Sequence, residues 1–241
     1  MILIALIRTL SSILFLILYG VLLGPLFILH AMLVGHVRVL YPFCIGGAQM
    51  GLRIAGVTPR AEGVENIPPG VCLFVSNHVS NVDPPVIVGR IPGRVAFLVK
   101  RELFRIPFLG TAMRLGRFIP VNRRDPSAAR ASVRLARKYM KEGISYVIFA
   151  EGTRSRDGSL GEFKRGSFLL AIESGAPVVP VTILDTRKIL PRGAFLIRPG
   201  IARVIFHPAI AASAYSHATR RDLAERVRSV IASALPAKPQ P

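Results

Sequence analysis

From Leu10 to Gly35 the chain has no charged residue, and only Ser11, Ser12, Tyr19 and His30 interrupt the apolar run. A soluble fold rarely buries so long a stretch, and the run exceeds the roughly 18 apolar residues that mark a membrane-spanning candidate. A cleaved signal peptide fits poorly, because the run is too long and no small-x-small cleavage pattern follows it. Two readings stay open. One is a single transmembrane helix. The other is a pair of helices broken near Gly24-Pro25 and lying within one leaflet, since proline removes a backbone donor and disfavours a continuous helix.

Charge supports a membrane partner. The net charge is +19, from 32 Lys and Arg against 13 Asp and Glu, and no acid precedes Glu62. Such a field attracts anionic lipid, nucleic acid or acidic carriers. Only Arg8 precedes the apolar run, whereas Arg38, Arg53, Arg60 and the basic remainder follow it. The positive-inside tendency places that remainder in the cytoplasm, on the inner face of a bacterial membrane. The two cysteines, Cys44 and Cys72, have no Cys-x-x-Cys partner and read as small buried hydrophobes.

Beyond residue 60 short β-branched and aromatic runs alternate with helical stretches. Val71–Val75, Val95–Val99, Phe118–Val121, Tyr146–Phe149, Val178–Leu184, Phe195–Ile197 and Val204–Phe206 read as strands. Asp125-Pro126 opens a helix that Gly143 closes. Its Ala129, Val133, Ala136 and Met140 would face the core. Arg130, Arg134, Arg137, Lys138 and Lys141 would form a face without acids, either solvated or lipid-facing. A second helix spans about Lys164 to Ser174. A last one follows Thr219, where Thr219 and Asp222 resemble a capping box. The alternation predicts one α/β layer structure over residues 59–241, after a helical membrane-associated segment over 1–58.

Four stretches carry chemistry. In Ser76-Asn77-His78-Val79-Ser80-Asn81-Val82-Asp83-Pro84-Pro85, a strand delivers a histidine and then a carboxylate. The stretch is either a capped turn, with Asp83 as cap, or a base with its orienting acid. No Gly-x-Ser-x-Gly elbow supplies a nucleophile, so a base here would activate a substrate hydroxyl. No zinc-binding pattern is present. Phe149 to Gly166 is dense in Gly, Arg and hydroxyls. Gly152 permits close backbone approach, Thr153 and Arg154 can donate to an anionic oxygen, and Glu151 could hold an Arg or bond a substrate hydroxyl. Gly116 to Arg124 ends a strand at Arg123 and Arg124, which suits bidentate phosphate contact. Val178 to Ile183 is a buried strand containing a proline.

In this order and spacing the stretches resemble the glycerolipid acyltransferase family, over roughly residues 60 to 210. Asn77, His78 and Asp83 match its Asn-His-x4-Asp block. Gly116, Phe118, Ile119 and Arg123 resemble a second block. Glu151 to Ser155 match Glu-Gly-Thr-Arg-Ser, and Val179 to Val181 match Val-Pro-Val. Ala150 and Asn122 stand where the family often has Pro and Asp.

The resemblance implies one α/β domain, a mixed sheet flanked by helices, preceded by a hydrophobic helical membrane module. It implies acyl transfer from acyl-CoA or acyl carrier protein to the free hydroxyl of 1-acyl-sn-glycerol 3-phosphate. His78 would be the base and Asp83 its orienting group. Asn77, Arg123, Glu151, Gly152, Thr153 and Arg154 would hold the acceptor. No metal or cofactor is implied. Lyso-ornithine lipid, glycerol 3-phosphate or another lysophospholipid would need the same chemistry. A noncatalytic lipid-surface protein would need the apolar and basic features but not His78 with Asp83. A nucleic-acid binder would need a stacking platform of aromatics on a basic face, which is absent.

Overall fold

The run Leu73-Phe74-Val75-Ser76 is almost wholly excluded from solvent on both sides. A strand that is apolar at every position, rather than at alternate ones, belongs in the middle of a sheet covered on both faces. In the computed structural model, which describes residues 2–121, 126–164 and 166–236, this strand is the centre of a seven-stranded sheet. The strands are β1 (Val57–Glu62), β2 (Leu73–Ser76), β3 (Arg94–Lys100), β4 (Ile119–Val121), β5 (Ile144–Phe149), β6 (Val178–Leu184) and β7 (Gly200–Phe206), in the order β1-β7-β6-β2-β5-β3-β4. Strands β2 to β6 run parallel. β7 is antiparallel to β6 and parallel to β1. The sheet is therefore mixed, and the C-terminal ends of β2, β3, β4, β5 and β6 share one edge.

Helices cover both faces. On one face lie α6 (Pro126–Lys141), α7 (Gly166–Ser174) and α9 (Arg220–Ser233), through Val133, Ala136, Phe168, Leu170, Leu223 and Val227. On the other lie α3 (Leu40–Ile54), α4 (Asp83–Val88) and α8 (Thr186–Ile189), through Leu52, Ala55, Val86, Ile87 and Ile189. A short helix α5 (Leu109–Leu115) precedes β4. On α6, Val133, Ala136 and Met140 are buried, while Arg130, Arg134, Arg137, Lys138 and Lys141 are exposed. That basic face lies on the opposite side of the sheet from α3. Asp125 and the side chain of Ala129 lie outside the described residues.

The apolar N-terminus does not break at Gly24-Pro25. α1 (Ile2–Leu18) and α2 (Gly24–Val34) join through a π-helical turn, Tyr19–Leu23, into one helical run from Ile2 to Val34. The wider turn accommodates the donor that Pro25 lacks without ending the helix. α3 returns beside α1. Ser12 Oγ donates to the Gly51 carbonyl at 2.8 Å, and Tyr19 stacks on Phe43 with ring centroids 4.4 Å apart. Gly47 permits this approach, because a Cβ there would stand 2.5 Å from the Tyr19 ring.

The long helix meets the α/β domain at two places. Near its start, Thr9 Oγ1 accepts the Ile197 amide at 2.9 Å. Near its end, Ile28 and Ala31 cluster with Leu40, Ala112 and Leu115.

Three sequence expectations are corrected. Phe195–Ile197 is not a strand. Phe195 is exposed, the Ile197 amide goes to Thr9, and the Arg198 amide goes to the Ile189 carbonyl, so the segment is a strap that docks α1. The edge strand β1 was not expected, because Pro59, Arg60 and Glu62 disguise its pattern. Thr219 does not form a capping box, since its hydroxyl accepts the Ser216 amide on its N-terminal side.

Gly47→Val should push the Tyr19 ring off Phe43 and destabilise the α1–α3 pair by about 1–3 kcal/mol. An earlier urea midpoint in mild detergent is the expected result. An unchanged midpoint would mean that this contact does not hold the pair together.

Candidate active site

The chain leaves β2 at Ser76 and turns through residues 77–82 into α4. Asn77 is buried, and both ends of its amide engage β6. Its Nδ2 donates to the Ile183 carbonyl at 2.9 Å and its Oδ1 accepts the Ile183 amide at 2.8 Å. Asn77 was expected to bind substrate. With its amide committed to Ile183, it instead ties the turn to the sheet.

Asp83 is 0% exposed. It does not cap its own helix as expected. Its carboxylate turns back, and Oδ2 accepts the Val79 amide at 2.8 Å, the Ser80 amide at 2.8 Å and His78 Nδ1 at 2.7 Å. An oxygen already accepting two amides is an acceptor for the ring as well, so Nδ1 carries the proton and Nε2 keeps its lone pair. The imidazole stacks on Phe149 with centroids 4.0 Å apart, and its side chain is 15% exposed. No hydrogen bond to Nε2 occurs among the described residues. The geometry is that of an imidazole oriented by a carboxylate, with its second nitrogen free to accept a proton, at the mouth of the parallel strands.

The second loop leaves β5, the neighbour of β2. Glu151 is buried, and each of its oxygens takes a backbone amide: Oε1 that of His78 at 2.9 Å and Oε2 that of Gly161 at 3.0 Å. Burial pushes its carboxyl above the ordinary range, opposed by these two amides. Glu151 was expected on the acceptor. Both of its oxygens bond main-chain amides, so it positions the two loops. The Ser155 amide completes the link by donating to the His78 carbonyl at 2.8 Å.

Gly152 has φ +71°, a left-handed conformation that favours glycine, and Lys164 crosses over it closely enough that a Cβ would lie 2.9 Å from its Cε. Thr153 is exposed and Arg154 half-buried. Arg192 Nη1 donates to the Arg154 carbonyl at 2.7 Å, and Arg187 lies against Gly158.

The structure therefore brings His78, Asp83, Asn77 and Glu151 to Arg154 together. Arg123 lies outside the described residues. Sequence reasoning missed Lys100, Lys164, Arg187 and Arg192. Lys100 ends β3 on the same edge, the kind of strand-terminal cation that singled out Arg123. Lys164 stood within the Gly-rich stretch but carried no distinguishing signal. Arg187 and Arg192 approach through tertiary contacts alone.

Glu151→Ala would orphan the His78 and Gly161 amides. Each buried unpaired donor costs about 1–3 kcal/mol. Chemical denaturation should show that loss, and unchanged stability would mean that the amides find other partners.

Comparisons with known proteins bear on the family and the fold. A family model described as Acyltransferase matches residues 58–184. The chain is 36% identical over 178 residues to a chloroplastic 1-acyl-sn-glycerol-3-phosphate acyltransferase of Arabidopsis thaliana, covering 72% of this chain and 48% of that protein. It is 32% identical over 189 residues to the 1-acyl-sn-glycerol-3-phosphate acyltransferase of Borreliella burgdorferi, covering 78% and 75%. Against the chloroplastic relatives of Arabidopsis thaliana and Brassica napus it spans less than half of their length, 48% and 44%. Its fold matches the crystal structure of the 1-acyl-sn-glycerophosphate acyltransferase PlsC from Thermotoga maritima with a TM-score of 0.80 at 27% identity, over 97% of this chain and 98% of that one. With the family model spanning more than half of its length, the chain belongs to the acyltransferase family.

Proposed function

We propose that the protein is a membrane-associated O-acyltransferase. It moves a fatty acyl group from an acyl thioester, on CoA or acyl carrier protein, to the free hydroxyl of 1-acyl-sn-glycerol 3-phosphate. The observation that carries this reading is the His78 Nδ1 to Asp83 Oδ2 hydrogen bond of 2.7 Å, which leaves Nε2 as a base at the loop edge of the sheet. The activity of the relatives supplies the substrate class.

The reaction needs no nucleophile from the protein. His78 Nε2 takes the proton of the acceptor hydroxyl as its oxygen attacks the thioester carbonyl. The tetrahedral intermediate then expels the thiolate, which receives the proton from Nε2. The products are the diacylglycerol 3-phosphate and a free thiol, and His78 returns to its starting state. Asp83 holds the ring through Nδ1 and stabilises the charge it gains between the two steps. Phe149 fixes the other face of the ring. Arg154, with Gly152 and Thr153, holds the acceptor phosphate, and Arg123 serves the same group. The acyl thioester is a substrate.

The helical run Ile2–Val34, with mean hydropathy 2.5 in its most apolar window, is the membrane module. It contacts the α/β domain near both ends, at Thr9 and at Ala31. A helix tied twice to one side of a domain favours lying in one leaflet over crossing the bilayer. The positive-inside bias puts the domain on the cytoplasmic face.

His78→Ala should lower kcat by about 10²–10⁴-fold, the usual worth of general-base help. Thiol release from acyl-CoA, followed with and without lysophosphatidic acid, reads it. A variant at near-full rate would remove His78 from the chemistry. Arg154→Ala should raise the acceptor KM with little change in kcat, as expected for a contact made equally in ground and transition states. An unchanged KM would place the phosphate elsewhere.

A further inference from the structure

The segment Lys100-Arg101-Glu102-Leu103-Phe104-Arg105-Ile106-Pro107-Phe108-Leu109-Gly110 joins β3 to α5. Nothing in the reaction above uses it. It leaves Leu103 37% exposed, Ile106 44%, Phe108 42% and Leu109 46%. Four large apolar side chains within seven residues of a loop is unusual exposure for a protein facing water on every side.

The exposure is built in rather than the product of a loose loop. Phe104, the odd one out, is buried. The Gly110 amide donates to the Ile106 carbonyl at 2.8 Å, and the Ala112 amide to Phe108 at 2.8 Å. Arg114 Nη2 reaches the Phe104 carbonyl at 3.0 Å. Gly110 lies so close to Phe104 that a Cβ would stand 2.2 Å from its carbonyl oxygen. Phe108 takes φ +59°, a conformation that costs a non-glycine residue on the order of 1–3 kcal/mol. The chain thus holds a strained turn that presents a phenyl ring outward.

Two further features say what covers it. α5 packs through Ala112 and Leu115 on Ile28 and Ala31 of α2. The ridge therefore continues the apolar surface of α2, whose Leu26, Leu29, Met32 and Leu33 are exposed by more than half. Lys100, Arg101, Arg105 and Arg114 surround it, all exposed, with Glu102 the one acid between residues 100 and 114. Apolar anchors within a basic collar match the acyl–headgroup boundary of an anionic bilayer.

We propose that Leu103, Ile106, Phe108 and Leu109 form a second membrane-insertion element, carried by the catalytic domain itself. The ridge springs from the C-terminal end of β3, on the edge that holds His78 and Glu151. Its insertion fixes that edge at headgroup level, so a lysolipid enters sideways from the leaflet and the product returns to it. This deepens the acyl-transfer reading and rests on it for the consequence, but not for the insertion.

The chain has no tryptophan, so Phe108→Trp gives a single reporter. With vesicles of phosphatidylglycerol and phosphatidylethanolamine, its emission should shift to the blue and be quenched by brominated acyl chains. Emission unchanged by vesicles would overturn the proposal. The double variant Phe108→Ser with Leu109→Ser should raise the KM for lysophosphatidic acid in vesicles by about tenfold. Its rate on a short-chain lysophosphatidate dispersed as monomers should stay unchanged. An equal loss on both forms would assign the ridge to the fold or the chemistry and overturn the proposal. A detergent-stable dimer of the parent chain that the double variant dissociates would assign the ridge to a second copy and overturn it too. Quenching by lipid in a protein with no transfer activity would sustain the insertion while removing the acyltransferase reading.

Discussion

In the acyl-transfer reading proposed above, the catalytic edge depends on one buried carboxylate. Removing a charge from water costs several kcal/mol unless hydrogen bonds replace its hydration. Oδ2 of Asp83 collects three donors from a span of three residues, His78 to Ser80. Those bonds offset part of the desolvation, since Oδ1 is buried without a partner among the described residues, and they also close the turn between β2 and α4. The same atom therefore shapes the loop and selects the tautomer of the base. Any change at Asp83 would act on backbone and imidazole together, so its effect on rate and its effect on stability are not separable by that substitution alone.

The base is held from a second direction by its own main chain. The His78 amide and carbonyl both go to the loop after β5, through Glu151 and Ser155. Adjacent parallel strands β2 and β5 set the register of that meeting, with Ser76 opposite Phe149. Ring orientation then follows from the Asp83 bond and the Phe149 stack. A base fixed by side chain, main chain and aromatic face has little freedom left to lose when substrate arrives, which is the preorganisation that general-base catalysis rewards. Around Gly152, by contrast, Lys164, Arg187 and Arg192 are exposed and Arg154 is half-buried.

What was legible in the sequence follows the range of each interaction. His78 and Asp83 are five residues apart, so local spacing exposes the pair. β6 was readable in full because its apolar run is continuous, and Pro180 within it still accepts the His207 amide through its carbonyl. Asn77 and Glu151 were assigned to substrate because polar groups in a motif invite that reading. Their partners, Ile183 for Asn77 and His78 with Gly161 for Glu151, are named only by tertiary structure. The strap at Phe195–Ile197 looked like a strand for the same reason, since nothing local tells an apolar triplet that it will meet Thr9. The unbroken helix through Gly24-Pro25 needed the π-helical turn, which leaves no trace in composition.

The pairing of β1 with β7 sets an order on biosynthesis. Among the described strands β1 touches only β7, with Val57 opposite Gly200, so its partner is made long after it. Ile197, which receives α1, is made equally late. The apolar helical run Ile2–Val34 is thus made well before the strap that receives it. Contacts this distant in sequence form slowly. Through that interval the helix lacks its docking strap, and its apolar surface is open to aggregation until the sheet closes.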